Sequence, residues 1–257
     1  MASFTARVAE IAPPRVRAAL ALWSVLRLTL WYGGRACWAQ RRRMDVETGE
    51  RWAARWAQSV GRRLPLDVRH CGVAAPSAAI IVANHRSYLD VVPLLQGTRC
   101  GLLAKAEVGA FPWFRKACSA AGTTFVARNQ KQSRSAARRA LIERAQAGGR
   151  VALFPEGTTS ATAGCLPFRP GIFHDAASVG LGVQPVALHY PDTAAPYVDD
   201  DHMLSHFLTL FRRRSVRIHV VWGPVLRGDD GERLRAEAER WVQNQLAALA
   251  AMDPVGG

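Results

Sequence analysis

The chain has 257 residues, 49% hydrophobic and 21% charged, with 21 glycines and 14 prolines, a composition that excludes a disordered, collagen-like or low-complexity polypeptide. Its length suits one large α/β domain, alone or with an appendage, better than two independent domains. A count of 34 basic against 20 acidic side chains gives a formal net charge of +14, a field that draws anionic partners such as lipid surfaces, acidic carrier proteins, phosphorylated metabolites or nucleic acid.

Only Lys105, Lys116 and Lys131 are lysines, so arginine, the better side chain for bidentate phosphate contacts, carries nearly all of the positive charge. Composition bias produces the same enrichment, so arginine usage by itself carries no weight toward a substrate. The cysteines Cys37, Cys71, Cys100, Cys118 and Cys165 are odd in number, dispersed and without a C-x-x-C pair. That pattern argues against a disulfide framework or a zinc site and implies a reducing, cytoplasmic setting.

The first element is an apolar stretch from Val16 to Tyr32, shorter than the roughly 20 residues that span a bilayer. Arg17, Ser24 and Arg27 fall within an arc of about 80° at 100° per residue, and the apolar side chains cover the other faces. An interfacial helix, a span, a helix docked on the protein's own core and a secretory signal all remain open at this point. A signal is disfavoured because Gly34-Arg35-Ala36-Cys37-Trp38 offers no convincing cleavage site. The basic run Arg41-Arg42-Arg43 suits the anionic cytoplasmic face of an inner or plasma membrane. A second helix over about Glu50 to Val60 completes an N-terminal helical membrane-association region, residues 1–62, ahead of an α/β domain, residues 63–257.

Short apolar runs bounded by Gly, Pro or Asn predict strands at Leu66–His70, Ala79–Ala83, Gly101–Ala104, Thr123–Ala127, Val151–Phe154, Val183–His189 and Val216–Val221. Helices are predicted at Tyr88–Gln96, Ala106–Ala120, Ser133–Ala147, Ile172–Val179 and Gly231–Ala251. Strands alternating with helices predict an α/β fold with a mixed, largely parallel sheet flanked by helices. The segment Pro191–Arg214, with Asp199-Asp200-Asp201 and Arg212-Arg213-Arg214, is expected to be a surface excursion with a short helix.

Three strand ends carry chemistry-bearing residues. Asn84-His85-Arg86-Ser87-Tyr88-Leu89-Asp90 places His and Asp at i, i+5, about 140° apart on a helix, so the pair can meet only if His85 lies in the turn and a helix starts near Ser87. Ser87 is then the expected N-cap with Asp90 at N3. An Asp bonded to one imidazole nitrogen fixes the tautomer and frees the other nitrogen to take a proton from an alcohol. Phe154-Pro155-Glu156-Gly157-Thr158 sets a carboxylate in a turn at a second strand end. Gly122 to Arg128 puts an arginine at a third, where it suits bidentate phosphate contact. Alone, each has a bland reading as a cap, a tight turn or a surface arginine.

Together these segments resemble the blocks of the glycerolipid acyltransferase family typified by lysophosphatidic acid acyltransferases. His85 and Asp90 match H-x-x-x-x-D, Gly122, Phe125 and Arg128 match G-x-x-F-x-x-R, and Phe154 to Thr158 match F-P-E-G-T. Val183-Gln184-Pro185-Val186 resembles the fourth block with Gln184 inserted, and Lys105-Ala106-Glu107 and Leu166 to Gly171 resemble further family segments.

The resemblance implies transfer of a fatty acyl group from acyl-CoA or an acyl-carrier-protein thioester to the free hydroxyl of lysophosphatidic acid, giving phosphatidic acid. Another lysophospholipid or a lyso-ornithine lipid is the alternative acceptor. It implies catalytic roles for His85 and Asp90, acceptor contacts for Arg128, Glu156, Gly157 and Thr158, and an oxyanion or substrate contact for Lys105. Neither a metal nor a cofactor is implied, and the partners are the two substrates and an anionic membrane surface. Clusters such as Arg134, Arg138 and Arg139 also motivate a nucleic-acid-binding reading, but no helix-turn-helix, zinc-finger or RNA-motif signature accompanies them.

Overall fold

The computed structural model describes residues 12–42, 46–127, 129–198 and 202–252. Arg128, Arg43 and Asp199 to Asp201 lie outside these residues. Two helices, α1 (Pro14–Arg41) and α2 (Val46–Gly61), lead into β1 (Leu66–Cys71) and β2 (Ile80–Ala83). A 3-10 turn (Tyr88–Asp90) and α3 (Val91–Gly97) follow, then β3 (Gly101–Lys105), α4 (Pro112–Ala120), β4 (Thr124–Val126) and α5 (Lys131–Gln146). The rest comprises β5 (Val151–Leu153), α6 (Gly171–Ser178), β6 (Val183–His189), α7 (Met203–Leu210), β7 (Val216–Trp222) and α8 (Gly231–Met252).

The seven strands form one sheet in the order β1-β7-β6-β2-β5-β3-β4. From β6 to β4 all neighbours run parallel, whereas β7 is antiparallel to β6 and parallel to β1. The sheet is therefore mixed and largely parallel, as its alternating elements predict. β2 is the central strand, and its four residues Ile80 to Ala83 are fully buried, as expected of a strand covered on both faces. Ile81 and Ala83 enter the core beneath α1, α2, α3 and α7, while Ile80 and Val82 enter the core beneath α5, α6 and α8. The spacing of four in Leu234, Ala238, Val242 and Leu246, all buried, turns one stripe of α8 onto the second core.

The expected strands are all present, with ends shifted by about one residue. Two helices differ. The run Ala106–Ala120 divides into a 3-10 turn (Ala106–Gly109) and α4, because Pro112 lacks an N–H and holds Phe111 in extended backbone (φ −82°, ψ 120°). The run Tyr88–Gln96 begins as a 3-10 turn, for a reason that belongs to Asp90. The excursion after β6 does contain a short helix, but Phe207, Leu210 and Phe211 bury it in the core rather than leave it as surface.

α1 settles part of the N-terminal question. Ala18, Ala21, Leu28, Ala36 and Ala39 are buried, and α1 packs on α2, α4 and α7. Trp56 Nε1 donates to Thr29 Oγ1 (3.1 Å), and Tyr32 and Ser59 share a 2.8 Å hydroxyl contact, so α1 is pinned to α2. Its opposite side exposes Trp23 (63%), Leu26, Leu30, Trp31 (58%) and Trp38. No helix among the described residues is long and apolar enough to cross a membrane. One side of α1 thus docks on the protein, and the other turns tryptophans and leucines outward with Arg27 and Arg35 among them.

Two polar side chains stitch the central strands. Buried Asn84 donates through Nδ2 to Leu188 O (2.9 Å) and accepts from Leu188 N–H at Oδ1 (2.8 Å), extending the β2–β6 ladder past β2. Gln184, the insertion in the fourth block, accepts from Ala75 N–H and donates to the carbonyls of Val73 and Gly223. Removing a side chain that satisfies two buried backbone groups leaves both unpaired. Asn84→Ala is expected to destabilise the protein by about 2 kcal/mol or more, measured as a lower denaturant midpoint with an unchanged slope.

Candidate active site

Because β2, β5, β3, β4 and β6 run parallel, their C-terminal ends open on one edge of the sheet, the usual place for a site in such folds. His85 follows β2, Phe154 and Glu156 follow β5, Lys105 ends β3, and Tyr190 follows β6.

At this edge Asp90 is fully buried, so its carboxylate must find donors in the protein. Its Oδ2 accepts from Arg86 N–H (2.7 Å) and Ser87 N–H (2.9 Å) and lies 2.8 Å from His85 Nδ1. These bonds pull the chain into a 3-10 turn, which is how residues five apart come to meet. Ser87 is the N-cap and Asp90 stands at N3, as the spacing predicts, with the carboxylate capping the Ser87 N–H. Oδ1 accepts from Tyr190 Oη at 2.6 Å.

The imidazole of His85 stacks on the Phe154 ring, with centroids 3.9 Å apart and planes within 7°. Asp90 on Nδ1 and Phe154 on one face fix the ring. Its side chain is 13% exposed, and Nε2 has no protein partner among the described residues. An imidazole oriented in this way by a carboxylate can act as a general base.

Glu156 is buried, and both its oxygens are occupied: Oε1 accepts from His85 N–H (2.8 Å) and Oε2 from Leu166 N–H (3.0 Å). It braces the backbone of the histidine and ties the segment after the F-P-E-G-T turn to the site. Burial raises its carboxyl above the ordinary range, and the two backbone donors and the Arg86 charge oppose that rise. The buried Arg86 guanidinium donates to the carbonyls of Ser160, Thr162, Ala163 and Gly164 and so wraps that loop around the site. Burial lowers the pKa of Arg86, and the carboxylates of Glu156 and Asp90 oppose the shift.

Gly157 has φ +77° and lies so close under Arg169 that a Cβ would come within 2.7 Å of the guanidinium, which explains a glycine after the glutamate. Thr158 is half-buried in the same turn. Gly122, at φ +92°, makes room for Arg144, which pairs with buried Glu50, and Phe125 carries Arg115 4.6 Å above its ring. These two block residues are scaffold. Lys105 is exposed at the end of β3, two strands from β2, and Arg128 lies outside the described residues.

The structure therefore brings His85, Asp90, Glu156, Gly157 and Thr158 to adjoining strand ends. Tyr190, Asn84, Arg86 and Phe154 join them without being anticipated. Phe154 and Arg86 stood inside the recognised blocks, whereas Tyr190 is 100 residues from Asp90 and carried no local signal.

The family model described as Acyltransferase matches residues 68–189, which contain all of these groups except Tyr190. The chain is 35% identical over 208 residues to a protein of Pseudomonas aeruginosa named lyso-ornithine lipid O-acyltransferase, covering 78% of this chain and 79% of that one. It is 33% identical over 222 residues to a Neisseria meningitidis protein named 1-acyl-sn-glycerol-3-phosphate acyltransferase, covering 84% of each. The chain belongs to the glycerolipid acyltransferase family. The fold of this acyltransferase is also that of the Thermotoga maritima 1-acyl-sn-glycerophosphate (LPA) acyltransferase, PlsC, with a TM-score of 0.71 at 20% identity over 92% of this chain and 95% of that one.

Replacing Glu156 by Gln leaves one backbone N–H facing an amide donor, and the variant is expected to lose about 1–3 kcal/mol of stability at neutral pH together with activity. Because burial raises the folded-state pKa of Glu156, the wild type binds its proton at higher pH folded than unfolded. The wild type therefore gains stability relative to Glu156→Gln as pH falls from above the folded pKa toward the unfolded value, and the gap widens. Denaturant midpoints of both proteins at pH 7 and pH 5 check this.

Proposed function

We propose that this acyltransferase moves a fatty acyl group from acyl-CoA or an acyl-carrier-protein thioester to the free hydroxyl of lysophosphatidic acid, giving phosphatidic acid. The observation that carries the reading is the 2.8 Å contact of His85 Nδ1 with buried Asp90, which turns the opposite ring nitrogen away from the carboxylate. Nε2 removes the acceptor's hydroxyl proton as that oxygen attacks the thioester carbonyl. Asp90 stabilises the imidazolium. The tetrahedral intermediate then collapses, the carbon–sulfur bond breaks, and the departing thiolate takes the proton back from Nε2.

In this reading Gly157 and Thr158 position the acceptor glycerol, and Glu156 holds the turn that carries them. Arg128 grips the phosphate, and Lys105 or a backbone N–H of the turn stabilises the oxyanion. No residue forms an acyl-enzyme. A lyso-ornithine lipid is the second reading, favoured by the 35% identity to the Pseudomonas aeruginosa protein of that name.

Acyl transfer from labelled acyl-CoA and from an acyl carrier thioester to a panel of lysolipids tests both readings. His85→Ala is expected to lower turnover about 10²–10⁴-fold, and Arg128→Ala to raise KM for phosphate-bearing acceptors with a smaller effect on kcat. Product from lyso-ornithine lipid alone replaces the acceptor, and equal activity in His85→Ala removes the mechanism.

The acceptor lies in a membrane, and we place the enzyme on the cytoplasmic face, docked through the exposed side of α1. Trp23, Leu26, Leu30 and Trp31 supply the apolar contact, and Arg35, stacked 4.8 Å over Trp31, and Arg42, stacked 5.6 Å over Trp38, lie where anionic headgroups would meet them. Trp23→Asp with Trp31→Asp is expected to reduce co-sedimentation with anionic vesicles by at least tenfold while leaving the melting temperature in place, since both side chains are exposed. Unchanged sedimentation removes this docking face.

A further inference from the structure

Among the groups at the strand-end site, Tyr190 is a buried polar side chain with one bond that the acyl-transfer chemistry above does not use. Its hydroxyl donates to Asp90 Oδ1 at 2.6 Å, within the range of a charge-assisted O–H···O⁻ bond. The donor is held in place from behind. Tyr190 directly follows β6, which pairs with β2 from Ile80↔Val183 to Ala83↔Val186, and Asn84 then clasps Leu188 on both its backbone groups. The tyrosine is thus fixed to the same pair of strands that ends in His85.

The two oxygens of Asp90 have different partners. Oδ2 meets the Arg86 and Ser87 N–H groups and His85 Nδ1, and Oδ1 meets Tyr190. Burial and the adjoining Asp90 charge hold the phenol well above its usual pKa, so it stays protonated and remains a donor. A hydrogen bond to a carboxylate lowers the carboxylate's basicity. Here that limits how tightly Asp90 holds the imidazolium.

We propose that Tyr190 is a positioning residue that acts through Asp90 to set the basicity of His85 and the orientation of the carboxylate beneath it. The inference deepens the assignment of His85 as the base and rests on it. Other titratable groups face the cluster. Arg86 adds positive charge, although its guanidinium bonds to the loop carbonyls. Glu156 adds negative charge beside His85. Tyr88 lies near Tyr190, and burial keeps it neutral. All three are retained when the Tyr190 hydroxyl alone is removed.

The test is Tyr190→Phe, which keeps the ring in the core, read by NMR titration of isotope-labelled His85 and by the pH profile of kcat/KM. Without the phenol, Asp90 holds the imidazolium more tightly. The His85 titration and the acid limb of the profile are both expected to move to higher pH by about half a unit or more. Placing 3-fluorotyrosine at position 190 strengthens the donor without removing it and is expected to move both downward, which keeps the test available should the phenylalanine variant fold poorly.

Lower activity with an unmoved His85 titration in both variants overturns the assignment and leaves Tyr190 a packing residue. A titration that moves while the acid limb stays still supports the coupling of Tyr190 to His85 and overturns instead the role of His85 as base, so the two failures are distinguishable.

Discussion

A carboxylate taken out of water must be met by donors at short range, and at Asp90 that requirement organises the site. Four donors reach it from His85, Arg86, Ser87 and Tyr190. Three of them come from the turn after β2, and their demand shapes the backbone into a 3-10 turn rather than the first turn of an α-helix. The fourth comes from the end of β6 and ties the turn to a neighbouring strand. The imidazole orientation is a by-product of this satisfaction: Nδ1 is one of the donors, so Nε2 is turned away from the carboxylate.

Around this centre the protein buries a second carboxylate and a guanidinium. Glu156 spends both oxygens on backbone N–H groups, one of them belonging to His85, and Arg86 spends its donors on a loop of backbone carbonyls. Neither makes, among the described residues, the direct side-chain ion pair that a charge count suggests. Each side chain solvates a segment of main chain that would otherwise be buried unpaired, and the charges balance at longer range. The F-P-E-G-T turn thereby serves several ends at once. Its phenylalanine stacks on the base, its glutamate braces the histidine backbone, and its glycine admits Arg169 over the turn.

The N-terminal helix has two unlike sides. Small residues on one side, Ala18, Ala21, Ala36 and Ala39, let α1 lie close against the protein, while tryptophans and leucines occupy the other side. A helix destined wholly for the core has no use for exposed tryptophans, and no helix among the described residues is long and apolar enough to cross a membrane. Arginines stacked on Trp31, Trp38 and Trp52 fit a boundary between apolar and anionic surroundings.

Much of this was legible in the sequence because it is local. Apolar runs of strand length, the helical spacing of Leu234 to Leu246 and the i, i+5 separation of His85 and Asp90 are written within a few residues, and each block sits at a strand end that periodicity alone locates. What stayed hidden depends on which strands become neighbours. Nothing near Tyr190 indicates that β6 pairs with β2 and delivers a phenol to Asp90, and nothing near Gly122 indicates that Arg144 needs the space. The sequence likewise could not choose among anchor, span and docked helix for α1, since the partners of its small-residue side, α2, α4 and α7, are distant in the chain. Local patterning determined the elements and set His85 and Asp90 at one strand end; tertiary structure decided which buried polar groups satisfy one another, because hydrogen bonds across a sheet are set by strand order, which no single segment encodes.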